Sequence, residues 1–170
     1  MKTTGDWSVI ANDNGVAQLK DDYQDLFVAV GNNHTRIKLM ERYSQQGFTI
    51  PVLIHPDASI GSNVSFGVGC VVMAQAAVNF GSNIGRGCIV NTSASVDHDC
   101  ELSEGVHLSP GSHLAGGVKV GAFSWIGMGA NVIQEISVGS SVMIGAGAVV
   151  INDLPDDVVS VGVPAVIKKT

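Results

Sequence analysis

The chain has 170 residues, a formal net charge of −6, and 15 acidic against 9 basic residues. That balance argues against polyanionic partners, whether nucleic acid or an anionic membrane surface. The length allows one domain plus a small appendage, and 21 glycines with only 5% aromatics point to closely packed turns rather than a core of large side chains.

The N-terminal stretch Met1–Trp7 is polar and carries no secretory apolar run. Trp7–Ala11 predicts a short strand before the turn Asn12-Asp13-Asn14-Gly15. Leu26–Val30 predicts a buried strand that runs into Gly31-Asn32-Asn33. A helix follows from about His34 to Gln46. Asn32 or Asn33 can cap it, Ile37, Met40 and Tyr43 form its inner face, and Gly47 stops it. Phe48–Leu53, with Pro51, reads as an extended connector. The result is a βαβ fragment. Gly31, Asn32 and Asn33 sit where such units bind ligands, and equally where a plain turn and cap would stand.

From Ile54 the chain keeps a six-residue period. Every sixth residue to Val150 is large and apolar, seventeen in all, and the residue two before the next such position is small or β-branched. A period of six fits neither an amphipathic helix nor an alternating strand; it predicts a mainly β fold, a parallel β-helix of hexapeptide repeats. Three hexads close one triangular coil, so residues eighteen apart should stack. Residues 58–85 carry no charge, but polar residues recur through them at the hexad spacing, which favours a coil over a membrane span. Cys70, Cys88 and Cys100 all fall on one inward position. They read as small buried hydrophobes in a reducing compartment, hence a cytoplasmic location. The register is expected to end near Pro155. This divides the chain into 1–53, a shortened α/β subdomain; 54–155, the β-helix; and 156–170, a tail ending in Lys168 and Lys169.

One stretch breaks the monotony of the outer wall. His98, between Asp97 and Asp99, points outward at a corner, either as a general base steadied by a carboxylate or as a solvated surface histidine. Let face A hold residues 94–96, face B 100–102 and face C 106–108. His98 then lies at the A/B corner and His107 points out from face C, on the opposite side of the prism. If both serve one site, they come from different subunits of a cyclic oligomer. Gly116 should lie one coil above His98. Its amide could stabilise an oxyanion, or it is another corner glycine.

The hexads, with Asn91-Thr92, Val96-Asp97-His98-Asp99-Cys100, Val106-His107-Leu108-Ser109-Pro110-Gly111, Leu114-Ala115-Gly116-Gly117-Val118 and Val161-Gly162-Val163-Pro164-Ala165, resemble bacterial left-handed β-helix sugar acetyltransferases. The sialic acid O-acetyltransferase group and the UDP-amino-sugar (bacillosamine-type) N-acetyltransferases are the similar members. Val28–Asn33, the following helix and Val52–Pro56 resemble that family's N-terminal domain. The resemblance implies left-handed coils, acetyl-CoA as co-substrate without a metal, a nucleotide-linked amino sugar as acceptor, and a homotrimer with sites between subunits. It makes His98 the general base, Asp99 its orienting acid and His107 a second active-site histidine. Gly116 and Ala146 would contact acetyl-CoA, with the Gly116 amide on the thioester carbonyl, and Gly31, Asn32, Asn33 and Asn91 the acceptor. Lys119 and the tail lysines are candidates for the phosphates of coenzyme A. The family's opening strand and Gly-x-x-Gly-His-Gly loop are not found in this sequence, so the expectation is either a shortened chain or an incomplete acceptor pocket. Two other readings are a non-catalytic trimeric scaffold or coenzyme A-binding remnant, and a gamma carbonic anhydrase-like metal hydrolase using His98, His107 and His113. The histidine spacings do not match the hydrolase's ligand pattern.

Overall fold

The computed structural model describes residues 3–168, which leaves Lys169 outside the described residues. Each hexad forms a two-residue strand followed by a corner turn. Strands one coil apart pair in parallel. Ser95 lies between Ala77 and His113 on face A, Glu101 between Asn83 and Lys119 on face B, and His107 between Ile89 and Trp125 on face C. The stacking predicted from the six-residue period is therefore the observed register of a β-helix.

The periodic apolar residues from Val72 onward are buried inside the prism. Ile54 and Ile60, at 44% and 36% exposure, belong to the first coil, which has no coil beneath it. The inward position two before each of them takes small residues for a second reason besides space. The side chains of Cys70, Ser82, Cys88, Cys100 and Ser124 donate to the carbonyls of Gly85, Asp97, Ser103, Ala115 and Gly139. Each supplies a donor to a corner carbonyl that the backbone ladder leaves unpaired. The three cysteines are buried free thiols, as expected. Face C continues past Pro155: Val159–Val161 pairs in parallel with Met143–Ile144, and Val166–Lys168 folds back on it antiparallel.

In the N-terminal unit, helix α1 spans Asn33–Gln45, and Asn32 Oδ1 accepts the Thr35 N–H at 2.9 Å. Gly47, at φ 90°, ends it. Ile37, Met40 and Tyr43 join Val28, Phe48 and Ile50 in a core distinct from that of the prism. Two expected strands are reduced. Trp7–Ala11 is a strand only at Trp7–Ser8, paired antiparallel with Thr3–Thr4. Leu26–Val30 is extended but makes only an Asp25–Thr49 bridge at its start, and the Val30 N–H turns back to the Val28 carbonyl. An apolar run becomes a strand only where a neighbouring strand takes up its backbone groups, and beyond Leu26 no described backbone pairs with this run from another segment. None of the described helices is long and apolar enough to cross a membrane.

Helix α1 rests on glycines stacked at the corner between faces B and C: Gly69, Gly87 and Gly105, at φ 70°, 63° and 66°. A Cβ on Gly87 would stand 2.5 Å from Ile37 Cδ1 and 2.9 Å from Met40 Sδ. Alanine at this position combines backbone strain with overpacking. Gly87→Ala is expected to destabilise the docked helix by about 1–3 kcal/mol, read by urea titration of a helix-specific probe. An unchanged midpoint would mean the helix is seated some other way.

Candidate active site

His98 stands exposed at the A/B corner, with Nδ1 2.9 Å from Asp99 Oδ2. Asp99 holds the left-handed corner conformation at φ 57°, which an aspartate tolerates better than most residues. A Cβ on Gly81, one coil below, would lie 2.7 Å from Asp99 Oδ1, so glycine there makes room for the carboxylate. Asp97 Oδ1 accepts the His98 N–H at 2.8 Å and the Asn79 amide at 2.9 Å, which ties the corner backbone to the coil below. The Asp99 hydrogen bond, and then the charges of Asp97 and Asp99, raise the imidazole pKa above its ordinary value. An Nδ1–H donated to Asp99 leaves the Nε2 lone pair free.

That nitrogen faces Gly116. A Cβ on Gly116 would lie 2.5 Å from His98 Nε2 and 2.6 Å from Cε1, so the imidazole rests directly against the glycine. The amides on either side of Gly116 are used by the coil ladder: Ala115 donates to Val132 and Gly117 to His98. Among the described residues no backbone acceptor takes the Gly116 N–H itself. Asp97, His98, Asp99, Gly116, Gln134 and Glu135 line a groove of about 510 Å³. A base and a free backbone donor side by side are the two elements an acyl transfer needs.

His107 lies elsewhere, on face C beneath the extended segment Phe27–Gly31. It is 6% exposed and packs on Trp125 with ring centroids 4.2 Å apart. Its Nε2 is 3.3 Å from the Asn91 amide nitrogen, and its buried Nδ1 makes no well-formed hydrogen bond to the described residues. Burial, and then the nearby Arg36 charge, push its pKa down to about 4. His107 is thus a neutral ring near pH 7. With Gly31, Asn91 and the apolar Val71, Met73 and Ile89 it lines a second cavity of about 290 Å³.

The other sequence candidates scatter. Asn32 is occupied as the helix cap. Asn33 is buried; its amide donates to the carbonyls of Phe123 and Ser124, and its Oδ1 accepts from Arg36. Its side chain binds helix α1 to the prism and has no free polar atom to offer a ligand. Ala146 is exposed at the corner between faces C and A, a different edge from Gly116. Lys119 pairs with Glu101 on face B at 3.1 Å. His113 points out from face A, 2.8 Å from Ser95 Oγ. Within one chain His98, His107 and His113 are therefore apart, and His98 and His107 line separate cavities.

Sequence reading passed over two residues. Trp125 sits eighteen after His107 in the face C row, so the repeat alone could have placed it against the ring. Arg36 is 1% exposed, and nothing in a helix otherwise polar at that point announces a buried arginine.

Neither the protein-family models nor the curated protein sequences contain a match to the chain. Several solved structures match closely. A histidine-to-asparagine variant of perosamine N-acetyltransferase from Caulobacter crescentus, in complex with CoA and GDP-perosamine, is 42% identical with a TM-score of 0.97, over 100% of this chain and 81% of that one. The acetyltransferase domain of PglB from Neisseria gonorrhoeae, in complex with acetyl coenzyme A, is 43% identical with a TM-score of 0.92, over 99% of this chain and 82% of that one. WeeI from Acinetobacter baumannii, at 24% identity and a TM-score of 0.94 over 98% of this chain and 81% of that one, shows the fold alone. With hexad coils in register from end to end and two such relatives above 40% identity, the chain belongs to the left-handed β-helix sugar acetyltransferases.

Proposed function

We propose that the chain transfers the acetyl group of acetyl-CoA to the amino group of a nucleotide-linked amino sugar. It would work as a cytoplasmic homotrimer whose sites lie between subunits, His98 from one subunit facing His107 and the Gly31 loop of the next. The observation that carries this reading is the contact of His98 Nε2 with Gly116, beside a backbone N–H left out of the coil ladder. His98 Nε2 takes a proton from the amine as its nitrogen bonds to the thioester carbon. The Gly116 N–H holds the carbonyl oxygen as it gains negative charge. Asp99 stabilises the imidazolium that forms, and His98 then returns the proton to the departing thiolate of coenzyme A. Neutral His107 and Asn91 offer hydrogen-bonding groups to the acceptor sugar. The groove beside His98 is lined by carboxylates rather than cations, so the phosphates of coenzyme A lie outside it.

The test is thiol release from acetyl-CoA by purified protein, which is expected only when a nucleotide-linked amino sugar is also present. The pH profile checks the base. Catalysis needs neutral His98, and the Asp99 hydrogen bond raises its pKa, so the acid limb of kcat/KM is expected at higher pH than an ordinary histidine would give. Removing the carboxylate in Asp99→Asn lowers that pKa, and the limb should move to lower pH while the maximal rate falls. A limb that stays in place would separate Asp99 from the base.

A further inference from the structure

Arg36 is among the most buried large side chains, and among the described residues it has no carboxylate partner. Its Nε donates to the Gly87 carbonyl at 2.7 Å. One terminal nitrogen donates to the carbonyls of Val30 and Gly31 at 3.0 and 2.9 Å, and the other to Asn33 Oδ1 and the Gly105 carbonyl at 2.9 and 3.0 Å. A buried guanidinium without a counter-charge is costly to keep, and burial lowers its pKa. Two of its acceptors, Gly87 and Gly105, are corners of the prism, while Val30 and Gly31 belong to the segment that roofs the cavity over His107.

Apolar packing of Leu26, Val28 and Val30 on the core beneath helix α1 holds one side of that roof, but its backbone has few ties of its own. Its backbone makes one contact with the connector, Leu26 to Thr49, and then only the local turn from Val30 to Val28. The floor is rigid, since His107 and Ile89 sit in the coil ladder. Arg36 hydrogen-bonds both layers at once, and so ties the carbonyl end of the roof to the prism beside His107.

We propose that Arg36 is a positioning residue for acceptor binding: it pins the Val30–Gly31 carbonyls to the prism corners and so fixes the width of the cavity between the Gly31 loop, Asn91 and His107. This rests on the acceptor occupying that cavity, as the proposed function has it. The fork matters more than the charge, because five donors in one plane meet acceptors on two layers. A lysine keeps the charge but cannot bridge them.

The experiment measures both Michaelis constants in full-length Arg36→Lys and Arg36→Gln. The expected result is a rise of about tenfold or more in KM for the nucleotide-linked amino sugar in both variants, with KM for acetyl-CoA within about twofold of wild type. An unchanged acceptor KM, restoration by lysine, or equal rises for both substrates would overturn the proposal. Should the variants fail to fold, the wild-type Arg36 Nε–H signal is followed by NMR. Saturating nucleotide-linked amino sugar should shift it and acetyl-CoA should not; a signal that ignores the sugar nucleotide overturns the proposal. A wild-type protein that turns over no amino sugar defeats the proposed function instead, and Arg36 is then judged by calorimetric binding of the two ligands to the same variants.

Discussion

His98→Ala is expected to lower kcat by about 10²–10⁴-fold, the range for loss of a general base, and to leave KM for acetyl-CoA near its wild-type value. The ring is exposed and packs into no core, so the variant should fold normally, with stability changed by no more than about 0.5 kcal/mol. A kcat loss without a stability loss is the pattern of a group needed only in the transition state. His107→Ala gives a contrast. Its ring is buried against Trp125 and its pKa is about 4, so it is already neutral across the working range. That variant should raise the acceptor KM and leave the acid limb of the pH profile in place. Wild-type turnover in His98→Ala, measured by thiol release, would remove His98 from the chemistry.

The two histidines also show what a repeat can and cannot reveal. A strict six-residue period is a coordinate system, because each hexad is one side of a triangle and every third hexad stacks. It therefore places Gly116 over His98, sends His107 to the far face and turns the cysteines inward, all before any coordinates exist. The same ruler would have put Trp125 on His107. It stops at Ile54, and the legibility of the site stops with it. Leu26–Val30 has the composition of a strand, but strand formation depends on a neighbour that local composition does not encode. Asn33 looks like a ligand contact in a Gly-Asn-Asn turn, yet its amide is taken by Phe123 and Ser124, some ninety residues away. Arg36 is hidden for the same reason, since its acceptors lie on Gly87 and Gly105. Long-range polar ties of this kind leave no periodic trace.

Gly116→Ala is expected to lower kcat by about 10²-fold while the protein folds at least as well as wild type. The backbone of Gly116 does not occupy the left-handed region, so alanine fits its conformation and can even stabilise by about 0.4–1 kcal/mol through the unfolded chain. What the methyl group meets is the tip of the catalytic imidazole, at 2.5 Å. The coil cannot yield, because Ala115 and Gly117 are locked in the ladder on either side. The exposed ring can, and must swing by about 1 Å to reach ordinary contact, a displacement of the size that costs about 10²-fold when reacting groups lose alignment. The swing also strains the Asp99 hydrogen bond that fixes the tautomer. A double-mutant cycle separates this from direct loss of the oxyanion donor, since the N–H remains in the alanine variant. If the methyl acts through the ring, Gly116→Ala should cost little further activity once His98 is already alanine. Full additivity would instead mean that the methyl blocks the thioester itself, and that the glycine is kept for the substrate rather than for the base.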